Sequence, residues 1–306
     1  MRIIRSWHSD QSHFVHQTSG STGRPKKIKI SRDKIIYSAQ ATMKEIDPEA
    51  SFKSSLLCLN TDFIGGAMVV YRALIYDHDL TIIGPSMDLM ESIEANDSFD
   101  LISVAPIQFK KFDTAALNKF NTILIGGGPM PRLDITCTAN IYSTFGMTET
   151  VSHIALRKLN EVLFTTTGDA IAGTNADGTL KIRGTITDNK WLNTNDLVTL
   201  HDSTTFEWHG RKDFVINSGG IKVNPETIEE LLKEQLSGDF MISSLPDDTL
   251  GEKIILLSSD DEKTIDFSRL PKYSAPKEIH FNQTILKTDS DKIDRLRTKK
   301  CFEEKR

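Results

Sequence analysis

Thr122-Ile-Leu-Ile-Gly-Gly-Gly-Pro129 decides the fold. A four-residue stretch with three apolar side chains runs straight into three glycines and a proline, so a short strand ends at a turn. An apolar run this short predicts a strand covered on both faces, as in a parallel sheet. The same grammar repeats outward from it. Ser55–Leu59, Leu80–Ile83 and Leu101–Val104 read as further buried strands. Between them, Gly66–Tyr76, Met87–Ala95 and Ile107–Leu117 space their apolar residues as helices do. Strand and helix in alternation predict a doubly wound, mostly parallel α/β sheet. Ligands of such sheets bind beyond the carboxyl ends of the strands, where Gly126, Gly127 and Gly128 fall.

After Thr150 the pattern changes. Val162–Thr166, Thr179–Arg183 and Leu197–His201 are short strands between turn residues, with Ala176-Asp-Gly178 as a hairpin turn. A small β-rich subdomain, an antiparallel barrel or sheet, is expected there. A third region begins near Gly210. Asn224-Pro225 opens a helix over Glu226–Gln235, with proline at the first helical position, where its missing N–H costs least. Strands follow around Ile254–Leu257 and Glu278–Phe281, and the last stretch is polar and helix-prone. The boundary falls in Gly210-Arg-Lys-Asp213, giving a larger domain over 1–210 and a small α+β domain over 211–306.

A chain of 306 residues with a net charge of -5 has ample apolar content for a core and gives no support to nucleic-acid binding. Its three cysteines, Cys58, Cys137 and Cys301, lie far apart without metal-ligand spacing. Cys58 and Cys137 sit in apolar or small-residue surroundings and are expected to be buried thiols of a reducing compartment. The first residues lack the apolar core of a signal peptide, and no run approaches the length of a membrane span. A cytoplasmic location is expected.

Two stretches carry chemistry on their own. Thr18-Ser-Gly-Ser-Thr-Gly-Arg-Pro-Lys26 places four hydroxyls, two glycines and an ammonium in nine residues. Glycines let backbone N–H groups approach an anion, and the hydroxyls and Lys26 add donors. It lacks the spacing of a Walker loop, and a plain surface loop before the strand Lys27–Ile30 is the alternative. Tyr142-Ser-Thr-Phe-Gly-Met-Thr-Glu149 offers a ring at Phe145 for a purine, a hydroxyl at Thr148 for a phosphate, and a hard oxygen at Glu149 for Mg²⁺. A core position is the alternative for Phe145, and a strand-end turn is the alternative for the three glycines.

Together, and in this order, these stretches resemble the acyl-adenylate-forming enzymes, the superfamily of acyl-CoA synthetases, luciferases and peptide-synthetase adenylation domains. The resemblance runs from Thr18 to near the end of the chain. It implies that Thr18, Ser19, Gly20, Ser21, Thr22, Gly23 and Lys26 grip the β- and γ-phosphates of ATP. Gly126–Gly128 would lie along the adenine and acyl pocket, with Phe145 and Gly146 beside them. Asn193-Thr-Asn-Asp196 resembles a Thr-Gly-Asp stretch, so Asp196 would hold the ribose hydroxyls. Asn195 stands where the family has glycine, in a turn where asparagine tolerates the left-handed conformation.

Gly210-Arg-Lys-Asp213, with Ser218-Gly-Gly220 and Pro225-Glu226, resembles the family's interdomain stretch. Arg211 would contact ribose or phosphate, and Asp213 would be the hinge. Lys287-Thr-Asp-Ser-Asp-Lys-Ile-Asp-Arg295 resembles the family's lysine-bearing loop, which implies that Lys292 stands at the catalytic position, with Asp291 where the family has glycine. Lys292, Thr148 and Glu149 are the implied catalytic group.

The resemblance implies two half-reactions. A carboxylate attacks ATP to give an acyl-adenylate, and the thiol of coenzyme A then displaces AMP. ATP, Mg²⁺ and coenzyme A are the implied cofactors and co-substrates, a small carboxylic acid the partner, and a homodimer an allowed assembly. Family enzymes carry a long segment before the phosphate loop, whereas seventeen residues precede it here. Compact forms look like the bacterial o-succinylbenzoate–CoA ligases of menaquinone synthesis, and Leu59–Leu74 is similar to their acyl-pocket helix. On that helix Arg72 either recognises a second substrate carboxylate or lies on a polar face. Two other readings stay open: adenylation of a different aryl or carboxylic acid, and a nucleotide-binding relic of low activity.

Overall fold

The short apolar runs of the sequence become neighbouring strands. The structure, a computed structural model, describes residues 2–17, 26–128, 136–288 and 292–305. It divides into two units. One comprises Met1–Gly173, Lys181–Leu192 and Leu200–Glu207; the other comprises Thr174–Leu180, Asn193–Thr199 and Trp208–Arg306.

In the first unit, α1 (Arg2–Trp7) precedes a hairpin of β1 (His13–Gln17) and β2 (Lys27–Ser31). Helix α2 (Arg32–Ile46) follows at once, because the Ser31 hydroxyl accepts the Lys34 N–H and caps its first turn. The alternation then unfolds as β3 (Ser54–Leu57), α3 (Ile64–Tyr76), β4 (Asp79–Ile82), β5 (Phe99–Val104), α4 (Pro106–Phe109), α5 (Thr114–Leu117), β6 (Phe120–Ile125) and β7 (Asn140–Met147).

The parallel order is β4-β3-β5-β6-β7, the doubly wound arrangement expected. β8 (Ser152–Lys158) and β9 (Leu163–Thr166) extend the sheet antiparallel. β10 (Ile171–Thr174), β11 (Thr179–Arg183), β12 (Leu192–Leu200) and β13 (Thr205–Arg211) form the β-rich part and are shared between the units. Within the first unit, Thr205–Glu207 of β13 pairs with β9. Alternate side chains of the parallel strands separate two cores. Leu56, Ile102, Ile123 and Ile125 pack with Phe109 and Phe112, whereas Leu101 and Leu124 pack with Met43 and Ile46 of α2.

Several expectations need correction. β4 is an edge strand, not a buried one, and Ile82 is 57% exposed. Met87–Ala95 forms only a 3-10 turn over Leu89–Ser92, which is enough to bury Leu89 and Ile93. Ile107–Leu117 breaks into α4 and α5, because the Asp113 carboxylate accepts the Ala116 N–H and starts a new helix. Cys58 is fully buried and its thiol is pushed up to about 12, but Cys137 is only partly covered. The long helix α2 was not anticipated.

The second unit carries a sheet ordered β15-β14-β17-β16, from β14 (Ile216–Ser218), β15 (Ile221–Val223), β16 (Phe240–Asp247) and β17 (Gly251–Ser258), with β18 (Glu278–His280) parallel to β17. Between β15 and β16 lies α6 (Pro225–Leu232). It is opened as expected by Asn224, whose side chain accepts the Glu226 N–H, but ends three residues short of Gln235. Its Ile228 and Leu232 pack on Ile242, Ile254 and Leu256. The terminal helix α7 (Arg295–Lys305) sets Phe302 against Leu245, Ile255 and Leu257 on the other face. Among the described residues, no helix is long and apolar enough to cross a membrane.

Candidate active site

The phosphate-loop candidates Thr18, Ser19, Gly20, Ser21, Thr22 and Gly23 lie outside the described residues. Their flanks are fixed by the β1–β2 hairpin, in which Gln17 faces Lys27, and by a parallel bridge from Gln17 to Phe63 at the start of α3. Lys26 is exposed just before β2.

The parallel pairing of β6 and β7 brings the glycine turn to the second stretch, with Ile125 opposite Ser143. Gly126 sits close to β7: a Cβ would stand 2.7 Å from Thr144 Oγ1, and the threonine side chain would have to shift. Gly127 adopts φ 95°, which disfavours a side chain, and Gly128 continues the turn beside Pro106. Gly146 sits at a bulge between β7 and β8, where a Cβ would meet Ser152 O at 2.0 Å and His153 Cα at 2.3 Å. Phe145 packs on Phe164 and Phe206, at 5.8 and 5.4 Å between ring centroids, yet keeps part of its ring exposed. Beyond it a 3-10 turn over Thr148–Thr150 buries Thr148 and exposes Glu149.

Arg72 is not on a polar face. It is 2% exposed, and α3 around it is apolar on nearly every side. Its Nη2 donates to Ser103 Oγ at 3.3 Å, while Nε and Nη1 have no hydrogen-bond partner among the described residues. Burial pulls its pKa down to about 10. Burial, and then the charge of nearby Arg72, holds the His153 imidazole down to about 3, so it is neutral. The one hydroxyl proton of Thr42 goes to Ser38 O, so His153 Nε2–H donates to Thr42 Oγ1 at 2.7 Å.

The second unit gathers the remaining candidates. Asp196 lies within strand β12, not in a turn, and Asn195 keeps negative φ, so no left-handed position is involved. Asp196 is buried, with Oδ1 accepting the Trp208 indole N–H at 3.0 Å. Arg211 ends β13; its Nη2 donates to Asp213 Oδ2 at 2.7 Å, and the same oxygen accepts Asn195 Nδ2 at 3.2 Å. The Arg211 backbone N–H donates to Glu226 Oε2 at 2.7 Å. Lys292 follows the undescribed Asp291. Burial, then repulsion from Arg211, lowers the pKa of its ammonium.

Sequence reasoning missed Ser103, Trp208 and the role of Glu226 as a backbone acceptor, because each depends on strand pairing. Arg72 had a usable signal: as the only charge in Ile64–Tyr76, it had no polar face to join. Among the described residues no cluster of three or more His, Cys, Asp or Glu could hold a metal by itself. The exposed Glu149 carboxylate fits Mg²⁺ as a single protein ligand, since this ion keeps waters and substrate phosphates around it.

The AMP-binding enzyme family matches residues 3–177. A probable 2-succinylbenzoate–CoA ligase of Mycobacterium tuberculosis is 26% identical over 94% of this chain and 83% of its own length. The 2-succinylbenzoate–CoA ligase of Listeria monocytogenes is 26% identical over 97% and 72%. Among solved structures, an acyl-CoA synthetase (AMP-forming)/AMP-acid ligase II-like protein from Dyadobacter fermentans is 30% identical, covering 98% of this chain and 92% of its own, at a TM-score of 0.63. The O-succinylbenzoate coenzyme A synthetase of Bacillus subtilis, in complex with ATP and magnesium ion, shares the fold at a TM-score of 0.79 and 20% identity, covering 93% and 69%. With more than half of its length matched by the family, this chain belongs to the AMP-binding enzymes, the acyl-adenylate-forming superfamily of acyl-CoA synthetase type.

Proposed function

We propose that this protein is an AMP-forming acid–CoA ligase whose acid carries a second carboxylate, with o-succinylbenzoate as its substrate. The observation that carries the choice of acid is Arg72, a buried guanidinium with two unpartnered nitrogens. A buried cation without a counter-ion is costly, and a ligand carboxylate would complete it. The relatives named for 2-succinylbenzoate support the same reading.

In this reading Thr18–Gly23 and Lys26 bind the β- and γ-phosphates, Gly126–Gly128 and Phe145 the adenine, and Asp196 and Arg211 the ribose and phosphate. Thr148 donates to the α-phosphate. Glu149 holds Mg²⁺, which neutralises phosphate charge when bound. Lys292 stabilises the charge that develops as the acid carboxylate attacks the α-phosphate and pyrophosphate leaves. A preorganised ammonium at that point stabilises the developing charge without reorganising at the moment of reaction. The region 211–306 then rotates about Asp213, withdrawing Lys292 so that the CoA thiol can displace AMP.

The test is production of AMP and acyl-CoA from ATP, Mg²⁺, CoA and o-succinylbenzoate, beside a panel of aryl and fatty acids. Selective turnover of o-succinylbenzoate is expected. Turnover of a monocarboxylic acid instead would overturn the substrate, and no turnover with any acid would overturn the activity.

A further inference from the structure

We propose that Glu226 is a positioning residue for Arg211, setting the backbone from which the guanidinium reaches the nucleotide. Three side chains at the start of α6 hold two residues of the chain that enters Arg211–Asp213, His209 and Arg211. Asn224 Nδ2 donates to His209 O at 2.6 Å, and Thr227 Oγ1 donates to the same oxygen at 3.2 Å. Glu226 Oε2 accepts the Arg211 N–H at 2.7 Å. Between them, Gly210 adopts φ 125° and leaves the space the clasp occupies. A Cβ there would stand 2.2 Å from Glu226 Oε2 and 2.5 Å from Asn224 Nδ2. The glycine of the Gly-Arg-Lys-Asp stretch therefore has a local cause: it admits the carboxylate that fixes the next residue.

The clasp acts on the backbone, and Asp213 acts on the side chain. Arg211 Nη2 is tied to Asp213, while Arg211 Nε is buried without a hydrogen-bond partner among the described residues. With its side chain held on the Asp213 side, the direction of the guanidinium follows from the backbone that Glu226 fixes. Asn224 closes the arrangement, since its Oδ1 accepts the Glu226 N–H at 3.1 Å while its Nδ2 holds His209. The groups facing Glu226 are Arg295, Arg211, Glu229 and Asp196.

This inference rests on the reading of Arg211 as a nucleotide contact, and the experiment separates the two. Binding of a non-hydrolysable ATP analogue is measured by calorimetry for the full chain and for Arg211→Ala, Glu226→Ala, Glu226→Gln and the double variant Arg211→Ala/Glu226→Ala. Thermal unfolding of each is followed in parallel. Glu226→Ala is expected to weaken binding about tenfold, the scale of a lost hydrogen bond to a charged group. Glu226→Gln keeps an acceptor and should stay within about threefold of the parent. In the Arg211→Ala background, Glu226→Ala should add no further loss.

Should Glu226→Ala fail to fold, Glu226→Asp replaces it, since it keeps the charge but withdraws it from the Arg211 N–H. Unchanged binding in Glu226→Ala or Glu226→Asp would overturn the proposal, as would a loss that adds in full to that of Arg211→Ala. If Arg211→Ala itself binds like the parent, the reading of Arg211 falls instead.

Discussion

Arg72 and Ser103 make the one hydrogen bond that the buried guanidinium has among the described residues, Nη2 to Oγ at 3.3 Å. A hydroxyl does not neutralise a cation, and the neutral His153 beside it cannot either. Among the described residues the Arg72 guanidinium therefore meets no anion. Arg72→Met should make the ligand-free protein more stable, by about 1–3 kcal/mol, while raising the KM for o-succinylbenzoate about 10–100-fold. A monocarboxylic analogue should show no such rise. Unfolding curves and initial rates decide it: an unchanged KM would show that Arg72 does not read the second carboxylate.

Gly146 marks a closer approach of β7 to β8 than any side chain allows. Gly146→Ala should destabilise the fold by about 3 kcal/mol, because the Cβ would collide with backbone, which cannot swing aside. Gly65→Ala is the control. It has open space and lies in the first turn of α3, so it should be neutral or stabilising by about 0.5–1 kcal/mol. Denaturant unfolding of both variants measures the contrast, and equal effects would refute the steric account.

These two positions also show how far the sequence could be read. The strand and glycine of Thr122–Gly128 and the ring, hydroxyl and carboxylate of Tyr142–Glu149 could be picked out because each depends on neighbours in the chain. Helix α6 was found for the same reason, through Asn224 and Pro225. Hidden were pairings across sequence distance. The Arg72–Ser103 bond spans a helix and a strand, and the Trp208–Asp196 bond spans two strands. The 3-10 turn at Leu89–Ser92 was misread because burying residues four apart looks the same in a helix and in a single turn.

Lys292→Ala should slow adenylation about 10²–10³-fold, the cost of removing one preorganised charge-stabilising group. Thioester formation from supplied acyl-adenylate should suffer far less. Equal losses in both half-reactions would contradict the withdrawal of Lys292. A pH limb belongs to the same residue. Burial and Arg211 lower the pKa of the ammonium, so adenylation should fall on the alkaline side earlier than an ordinary lysine would dictate. Arg211→Gln removes the repulsion and should move that limb to higher pH.

Glu226 makes the last prediction, through stability. Burial is the main cause that pushes its carboxyl from near 4.5 up to about 7, against the pull of Arg295 and the Arg211 N–H. Below pH 4.5 the group is protonated in both folded and unfolded chains and costs nothing. Between 4.5 and 7 the unfolded chain gives up its proton first, so the folded state holds the extra one and its stability falls as pH rises. Above 7 both are ionised and the penalty is complete, at most roughly 3 kcal/mol. Glutamine imitates the protonated form at every pH. Glu226→Gln should therefore match the parent near pH 4.5 and exceed it progressively up to pH 7–8, while keeping the acceptor for Arg211. Unfolding free energies at pH 4.5, 6 and 8 give the difference directly. A constant difference would mean that the carboxyl ionises at its ordinary value, its burial relieved by solvent, and one that shrinks with rising pH would mean that the folded protein lowers its pKa instead.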